Sequence, residues 1–254
     1  VGRAVALVEE RPDLVTPDTT DFKHANTAFD EMPTEAHYST WVTERVVEFI
    51  GTADDRPYFA VANYFDPHHP FAAPPEYLAK YPPGSVPAPI GGRDELATKP
   101  PRQTDASEHS YGGAGPSFVD FSPDELDELR RTYHAMISLV DDGIGALLDA
   151  VAARDDDRPT LIIFVSDHGE MLGDHGLMLK GPMMYDAAVR VPLMIALPDV
   201  VPAGERVDGF VSPHDLAATL RAATGLERYD RDQGIDLIAV ANGGIPARRY
   251  AWSE

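Results

Sequence analysis

A run of five apolar residues, Leu161-Ile-Ile-Phe-Val165, stops abruptly at Ser166-Asp167-His168-Gly169. A run without polar alternation reads as a strand buried on both faces, the kind found in mostly parallel sheets covered by helices. Charge enters only at its carboxyl end, and in open α/β sheets ligands sit in the crevice outside those ends. This one segment therefore restricts the fold class first and the place of any site second. Glu170-Met-Leu-Gly173 and Asp174-His175-Gly176 follow it and lead to Lys180. A carboxylate beside an imidazole can bind a divalent cation, and an ammonium thirteen residues after the aspartate can reach an anion bound to that cation.

The rest of the chain alternates between helical and extended patterns. From Thr40, the residues Trp41, Val42, Val46, Val47, Phe49 and Ile50 predict a helix, with Gly51 as its stop. Residues 57–65 read as a strand ending in Asp66-Pro-His-His-Pro70. Residues 71–121 are rich in Pro, Gly and Ser and lack periodicity. That is too long for an ordinary connector and reads as an insertion, a lid over a site. Ser122-Pro123-Asp124-Glu125 is a capping box with proline at the first helical position. The helix it opens carries Leu126, Leu129, Tyr133, Ile137, Val140, Ile144, Leu147 and Val151 and should run to Ala153.

A turn at Asp155-Asp-Asp-Arg-Pro159 feeds the strand 160–165, and Val191-Pro-Leu-Met-Ile-Ala-Leu197 is a second apolar strand. Ser212-Pro-His-Asp215 is a second capping box, opening a helix that Gly225 closes, and Arg249–Trp252 begins a last strand. Residues 1–36 show turn signals at Pro12, Pro17 and Pro33 and no period. Strands alternating with helices predict an α/β fold, a mostly parallel central sheet with helices on both faces, in a single domain over 1–254.

Composition removes several function classes. The 27 Asp and 15 Glu against 4 Lys and 17 Arg give a net charge of −21, a field that disfavours nucleic acid and anionic membrane surfaces as partners. The same excess fits either a highly soluble acidic surface or adaptation to high salt. With no cysteine, disulfides, thiolate zinc sites and cysteine nucleophiles are excluded from these residues. No stretch of about 18 apolar residues is present to span a membrane. The chain opens at Val1 without a basic-then-apolar leader, the expected start of a fragment or a processed product.

Five residues stand out as candidates for chemistry. Asp167 and His168 offer oxygen and nitrogen to one divalent cation, and Gly169 permits the backbone turn that two adjacent ligands need. His68, with Pro67 before it and Pro70 shortly after, can donate to an anionic oxygen or serve as general acid. Lys180 is a compact charge suited to a tetrahedral oxyanion. His175 reads as a turn residue or as a substrate contact. Arg190, where a strand begins, and the helical pair Asp141 and Asp142 read as structural or solvated.

Together these segments resemble the sulfatase family of the alkaline-phosphatase superfamily. The matching pieces are Trp41-Val-Thr-Glu-Arg-Val-Val-Glu-Phe-Ile50, the stretch 57–75 with Asp66-Pro-His-His-Pro-Phe71, and Tyr133-His-Ala-Met-Ile-Ser-Leu-Val-Asp141 through Gly145. Ile163 through Gly176, Lys180 through Leu193, and Asp215 to Gly225 with Gly234 complete them. The Asp-His form resembles the branch of choline sulfatases, iduronate sulfatases and phosphonate monoester hydrolases. The resemblance implies Asp167 and His168 as metal ligands, and His68 and Lys180 as catalytic residues contacting the sulfate ester. His175 follows as a further substrate contact.

It also implies a divalent metal, Ca2+ before Mg2+ or Mn2+, and a small-molecule or carbohydrate sulfate ester as substrate. The reaction implied is sulfuric ester hydrolysis, with phosphodiester or phosphonate monoester hydrolysis, or a non-catalytic metal- or anion-binding piece, as alternatives. The family nucleophile, a formylglycine made in a Cys/Ser-x-Pro-x-Arg motif, has no counterpart here. The nearest pattern, Gly244-Ile-Pro-Ala-Arg248, lacks it. The formylglycine and its strand are expected upstream, the C-terminal subdomain reads as truncated, and these residues alone are expected to be inactive.

Overall fold

The structure is a computed structural model that describes residues 32–54, 56–113, 115–154 and 157–251. It divides into two compact units, Val1–Asp155 with Glu170–Gly181, and Asp156–Gly169 with Pro182–Glu254. The turn signals at Pro12 and Pro17, the start of the Asp155–Pro159 turn and Trp252 lie outside the described residues.

In the first unit, helix α1 (Tyr38–Thr52) starts two residues before its predicted place. The N-cap is His37 rather than a Ser, Thr, Asp or Asn, and its ring nitrogen does the capping, accepting from the N–H of Ser39 at 3.3 Å. Gly51 lies inside the last turn rather than ending the helix. The stretch 57–65, predicted as a strand, forms no strand and joins no ladder among the described residues. Its Tyr64 hydroxyl instead meets Thr43 Oγ1 of α1 at 2.8 Å.

The segment 71–121 contains short helical pieces, among them α2 (Pro75–Leu78) and α3 (Pro101–Glu108). Each starts on a proline at its first position, where the fixed φ and absent N–H cost nothing. Two of the prolines that broke periodicity in the sequence, Pro75 and Pro101, are therefore helix starters. Tyr77, Leu78, Tyr81, Phe118 and Phe121 anchor the segment on the core made by Phe71, Leu129, Met136, Leu172, Met178 and Leu179.

Helix α4 (Pro123–Ala152) has both halves of its capping box. Ser122 N–H donates to Glu125 Oε2 at 2.8 Å and Glu125 N–H to Ser122 Oγ at 3.3 Å. Its buried stripe is Leu126, Leu129, Thr132, Ala135, Met136, Leu139 and Gly143, whereas the predicted Ile137 is 41% exposed. Two of these positions escape an apolar pattern for physical reasons. Thr132 hides its hydroxyl on the Glu128 carbonyl at 2.9 Å. Gly143 is small because a Cβ there would stand 2.5 Å from Thr43 Oγ1, so it lets α1 approach.

In the second unit, β1 (Ile162–Val165) and β2 (Leu193–Ala196) pair with Ile162 opposite Ala196 and Val165 opposite Leu193. The ladder is antiparallel and two-stranded, where the sequence predicted a mostly parallel sheet. A continuous apolar run is the habit of strands in parallel sheets but does not fix the direction of a given pair. Burial is also partial, with Met194 62% exposed, because a ladder of two strands leaves flanks open. Between the strands lies α5 (Asp186–Val189), where Gly169 N–H donates to the Ala188 carbonyl at 2.8 Å. A Cβ on Gly169 would fall 1.9 Å from the Ala187 oxygen, so only glycine lets the Asp-His turn cross this helix.

Helix α6 (His214–Ala223) begins one residue after the cap Pro213, and Gly225 follows at φ +69° as the predicted stop. Of the predicted capping box the carboxylate half is present, Ser212 N–H donating to Asp215 Oδ2 at 2.8 Å. The last short helix is α7 (Leu237–Ala241); the terminal strand expected from Arg249 does not form over 249–251, and an isolated bridge joins Phe210 to Arg248 just before it. Asp215, fully buried, is met by Arg248 Nη1 at 2.7 Å from Oδ1. Replacing Arg248 by methionine should leave that carboxylate uncompensated and destabilise the fold by about 2–4 kcal/mol. Chemical denaturation measures it, and an unchanged midpoint would remove the pair from the stability of this unit. Among the described residues no helix is long and apolar enough to cross a membrane.

Candidate active site

His68 sits on a tight turn in which its N–H donates to the Phe65 carbonyl at 3.0 Å. Its Nδ1 lies 2.6 Å from the His69 carbonyl, an acceptor only, so Nδ1 carries the proton and Nε2 is the working atom. Lys180 Nζ lies 2.6 Å from that Nε2. Two residues 112 positions apart are thus brought into direct contact. Neighbouring His69 stacks on His68 with ring centroids 4.1 Å apart. Burial, and then the positive charge of His68 and Lys180, push the His69 imidazole down to about 4.

The loop carrying Lys180 is held by its own backbone hydrogen bonds and by buried side chains. Met171 N–H donates to the Leu179 carbonyl and Gly173 N–H to the Leu177 carbonyl, each at 2.8 Å, folding 171–179 back on itself. Leu172, His175 and Leu179 adopt left-handed backbone, with φ of 46°, 57° and 61°. Such strain in non-glycine residues persists only where surroundings over-determine it, as around functional sites. Here Met171, Leu177 and Leu179 supply that packing, each at most 2% exposed. At the loop's start, burial pushes the Glu170 carboxyl up to about 7, against the Leu172 N–H and the Lys180 charge that hold it down.

His175 is committed elsewhere in this unit. Its Nδ1 meets Glu95 Oε2 at 2.9 Å and its N–H donates to the Ile90 carbonyl at 2.7 Å. Both partners come from the segment 71–121, so His175 ties that segment to the Lys180 loop. The helical pair also resolves as solvated: Asp142 accepts from the Tyr77 hydroxyl at 2.7 Å and pairs with Lys80 at 3.6 Å on the surface. Arg190 is exposed and, among the described residues, pairs with Asp186 at 3.9 Å.

Asp167 and His168 belong to the second unit. His168 Nδ1 lies 2.9 Å from the Gly169 carbonyl, which again places the proton on Nδ1 and turns the Nε2 lone pair outward. Metal-binding histidines characteristically donate their other ring N–H to a carbonyl in this way. Nε2 stands 3.6 Å from Asp167 Oδ2, about the edge spanned by two ligands at right angles on one cation with bonds of 2.3–2.6 Å. Asp167 is held by the His168 N–H on Oδ1 at 2.8 Å, and its side chain is 85% exposed. The donor set fits a hard divalent cation, although among the described residues no cluster of three His, Asp or Glu is assembled.

Sequence reasoning passed over Asp66 and Glu170. Both are acidic residues inside apolar or turn-rich surroundings, and nothing in their spacing marks them as buried. Asp66 accepts from Ser39 Oγ at 2.6 Å and from the Tyr38 hydroxyl, and burial pushes its carboxyl up to about 8.

A sulfatase family model matches residues 10–226. The chain is 36% identical to the uncharacterized sulfatase YidJ of Escherichia coli, over 83% of this chain and 40% of that protein. It is 33% identical to the multifunctional alkaline phosphatase superfamily protein PehA of Trinickia caryophylli, over 95% of this chain and 48% of that one. Among solved structures, the phosphonate monoester hydrolase of Agrobacterium radiobacter superposes with a TM-score of 0.80 at 26% identity, covering 96% of this chain and 51% of its own. The chain thus spans about half the length of the relatives it matches or somewhat less, on the same alkaline-phosphatase-like α/β fold. With its Asp-His-Gly turn, its His68–Lys180 contact and a family match over most of its length, this chain belongs to the sulfatase family.

Proposed function

We propose that the whole protein carrying this chain hydrolyses sulfuric ester bonds of a small-molecule or carbohydrate sulfate, with a divalent metal bound. The observation that carries this reading is the 2.6 Å contact between Lys180 Nζ and His68 Nε2. A cationic donor and an imidazole nitrogen so close together form a binding point for the oxygens of a tetrahedral anion. In so acidic a chain that local charge, with a metal, decides whether an anion is admitted.

The roles follow from the atoms. Lys180 Nζ holds an ester oxygen as charge builds on it. With Nδ1–H fixed on the His69 carbonyl, proton transfer at His68 is confined to Nε2, and the imidazolium form, protonated there as well, gives that proton to the leaving oxygen and returns to the neutral ring. Asp167 and His168 hold the metal, with Ca2+ the best match to a carboxylate-containing set and Mg2+ or Mn2+ the alternatives. When bound, the metal supplies Lewis-acid polarisation of the ester oxygens. A divalent metal and a formylglycine belong to the chemistry of the family. No residue among these 254 stands in a Cys/Ser-x-Pro-x-Arg motif, so the attacking group is assigned to no position here. The segment 71–121, tied to the Lys180 loop through His175, is the proposed lid and the place where specificity is set.

Phosphonate or phosphodiester hydrolysis is the second reading, favoured by the superposition on a phosphonate monoester hydrolase. The two separate in one assay of the whole protein with Ca2+, comparing 4-nitrophenyl sulfate with phenyl 4-nitrophenyl phosphate and a phenylphosphonate monoester. The expected result is a higher kcat/KM for the sulfate. A preference for either phosphorus ester would transfer the assignment to the second reading, and turnover of none would overturn both.

A further inference from the structure

Asp66 has no part in the chemistry just described, although it stands two residues before His68. It is 6% exposed, and its side chain is enclosed completely. Three consecutive residues at the start of α1 close on it. Ser39 Oγ donates to Oδ2 at 2.6 Å, the Tyr38 hydroxyl donates to Oδ1, and His37 Nδ1 stands 3.6 Å from Oδ2. The His37 ring is itself fixed, since Nδ1 accepts from the Ser39 N–H at 3.3 Å. From the other side, the turn closed by His68 N–H on the Phe65 carbonyl at 3.0 Å places Asp66 and His68 on one rigid link. The Phe65 ring makes a second link, packing 6.0 Å from the Tyr38 ring and 4.6 Å from the His68 ring.

Enclosing a carboxyl group is expensive unless its partners are well placed, and an exposed turn has no need of one. Here the partners lie on a helix anchored to α4, and the thing held is the turn that presents an imidazole. Supporting groups of this kind hold reacting side chains within fractions of an ångström. We propose that the buried Asp66 carboxyl, gripped by Tyr38 and Ser39, is the positioning residue that fixes the His68 imidazole against Lys180. This rests on the reading of His68 as an ester-binding residue. Asp66 itself touches no substrate atom and acts through His68 alone.

The test is a double-mutant cycle in the whole protein, read both as kcat/KM for 4-nitrophenyl sulfate and as affinity for inorganic sulfate. Asp66→Ala is expected to lose about 10- to 100-fold in kcat/KM, the penalty of a misplaced catalytic group. Asp66→Asn, which keeps an acceptor for one hydroxyl and a polar partner for the other, should recover most of it. In the His68→Ala background, Asp66→Ala should cost nothing further, because residues acting through one another do not add. Ser39→Ala, a smaller change, is carried through the same cycle so that poor folding of Asp66→Ala does not decide the matter. If His68→Ala is impaired and the losses multiply, Asp66 does not act through His68 and the positioning role is overturned alone. If His68→Ala keeps full turnover and sulfate affinity, the site reading falls and the positioning role falls with it.

Discussion

Asp167→Ala is expected to abolish ester hydrolysis by the whole protein while leaving its metal-free fold unchanged. The second half of that statement gives the first its force. The Asp167 side chain is 85% exposed and its one described protein bond is the local one from the His168 N–H. Substitutions at such positions ordinarily change stability by about 0.5 kcal/mol or less. Catalysis is another matter, since loss of a metal that polarises the ester removes several kcal/mol of transition-state stabilisation, a fall of about 1000-fold or more. The discriminating measurement is melting temperature with and without Ca2+. A bound ion stabilises only the state that binds it, so Ca2+ should raise the wild-type melting temperature and leave that of Asp167→Ala where it was. Metal content by mass spectrometry gives the same answer without any melting. A variant that keeps its metal and turns over normally would remove Asp167 from the site.

A local rule is legible in the sequence, and a feature that only tertiary contact decides is not. The capping box at Ser122–Glu125 fixed the start of α4 because it is a local hydrogen-bond device. The buried face of that helix was misjudged at Ile137, Thr132 and Gly143 because packing depends on what approaches each turn. The apolar runs near 160–165 and 191–197 marked β1 and β2 correctly. Their antiparallel pairing was not written there, since an apolar run does not fix the direction of a given pair.

The site divides in the same way. Asp167-His168-Gly169 is legible as a proposed metal-binding turn because an adjacent carboxylate and imidazole and an obligatory glycine are all local. The meeting of His68 with Lys180 was legible only through family resemblance, as no spacing rule joins positions 112 apart. His175 reads from the sequence as a turn residue or a substrate contact, and its ring meets the Glu95 carboxylate, 80 residues away, a pairing no spacing rule announces. Asp66 was invisible because an acidic residue in a turn is ordinarily solvated, and its burial depends on three residues at the start of a helix elsewhere in the chain.

Lys180→Met is the sharpest test of the proposed anion-binding half of the site. Methionine keeps an unbranched stem of similar reach, so the loop fixed by Leu179, Leu177 and Met171 should hold its shape. What disappears is the ammonium 2.6 Å from His68 Nε2. Removing one preorganised donor of this kind ordinarily costs about 100- to 1000-fold in turnover. The ground-state sulfate is anionic as well, so KM should rise together with the fall in kcat, unlike a change confined to the transition state. A second readout needs no substrate. The Lys180 charge is one of the causes that hold the His69 imidazole down to about 4, after burial and His68, so His69 should titrate at higher pH in the variant. Lys180→Arg should not restore turnover, because a planar fork does not replace a point charge packed end-on against an imidazole. Near-wild-type kcat/KM in Lys180→Met, with His69 titrating as before, would mean that the contact is a packing feature and that the ester is held elsewhere.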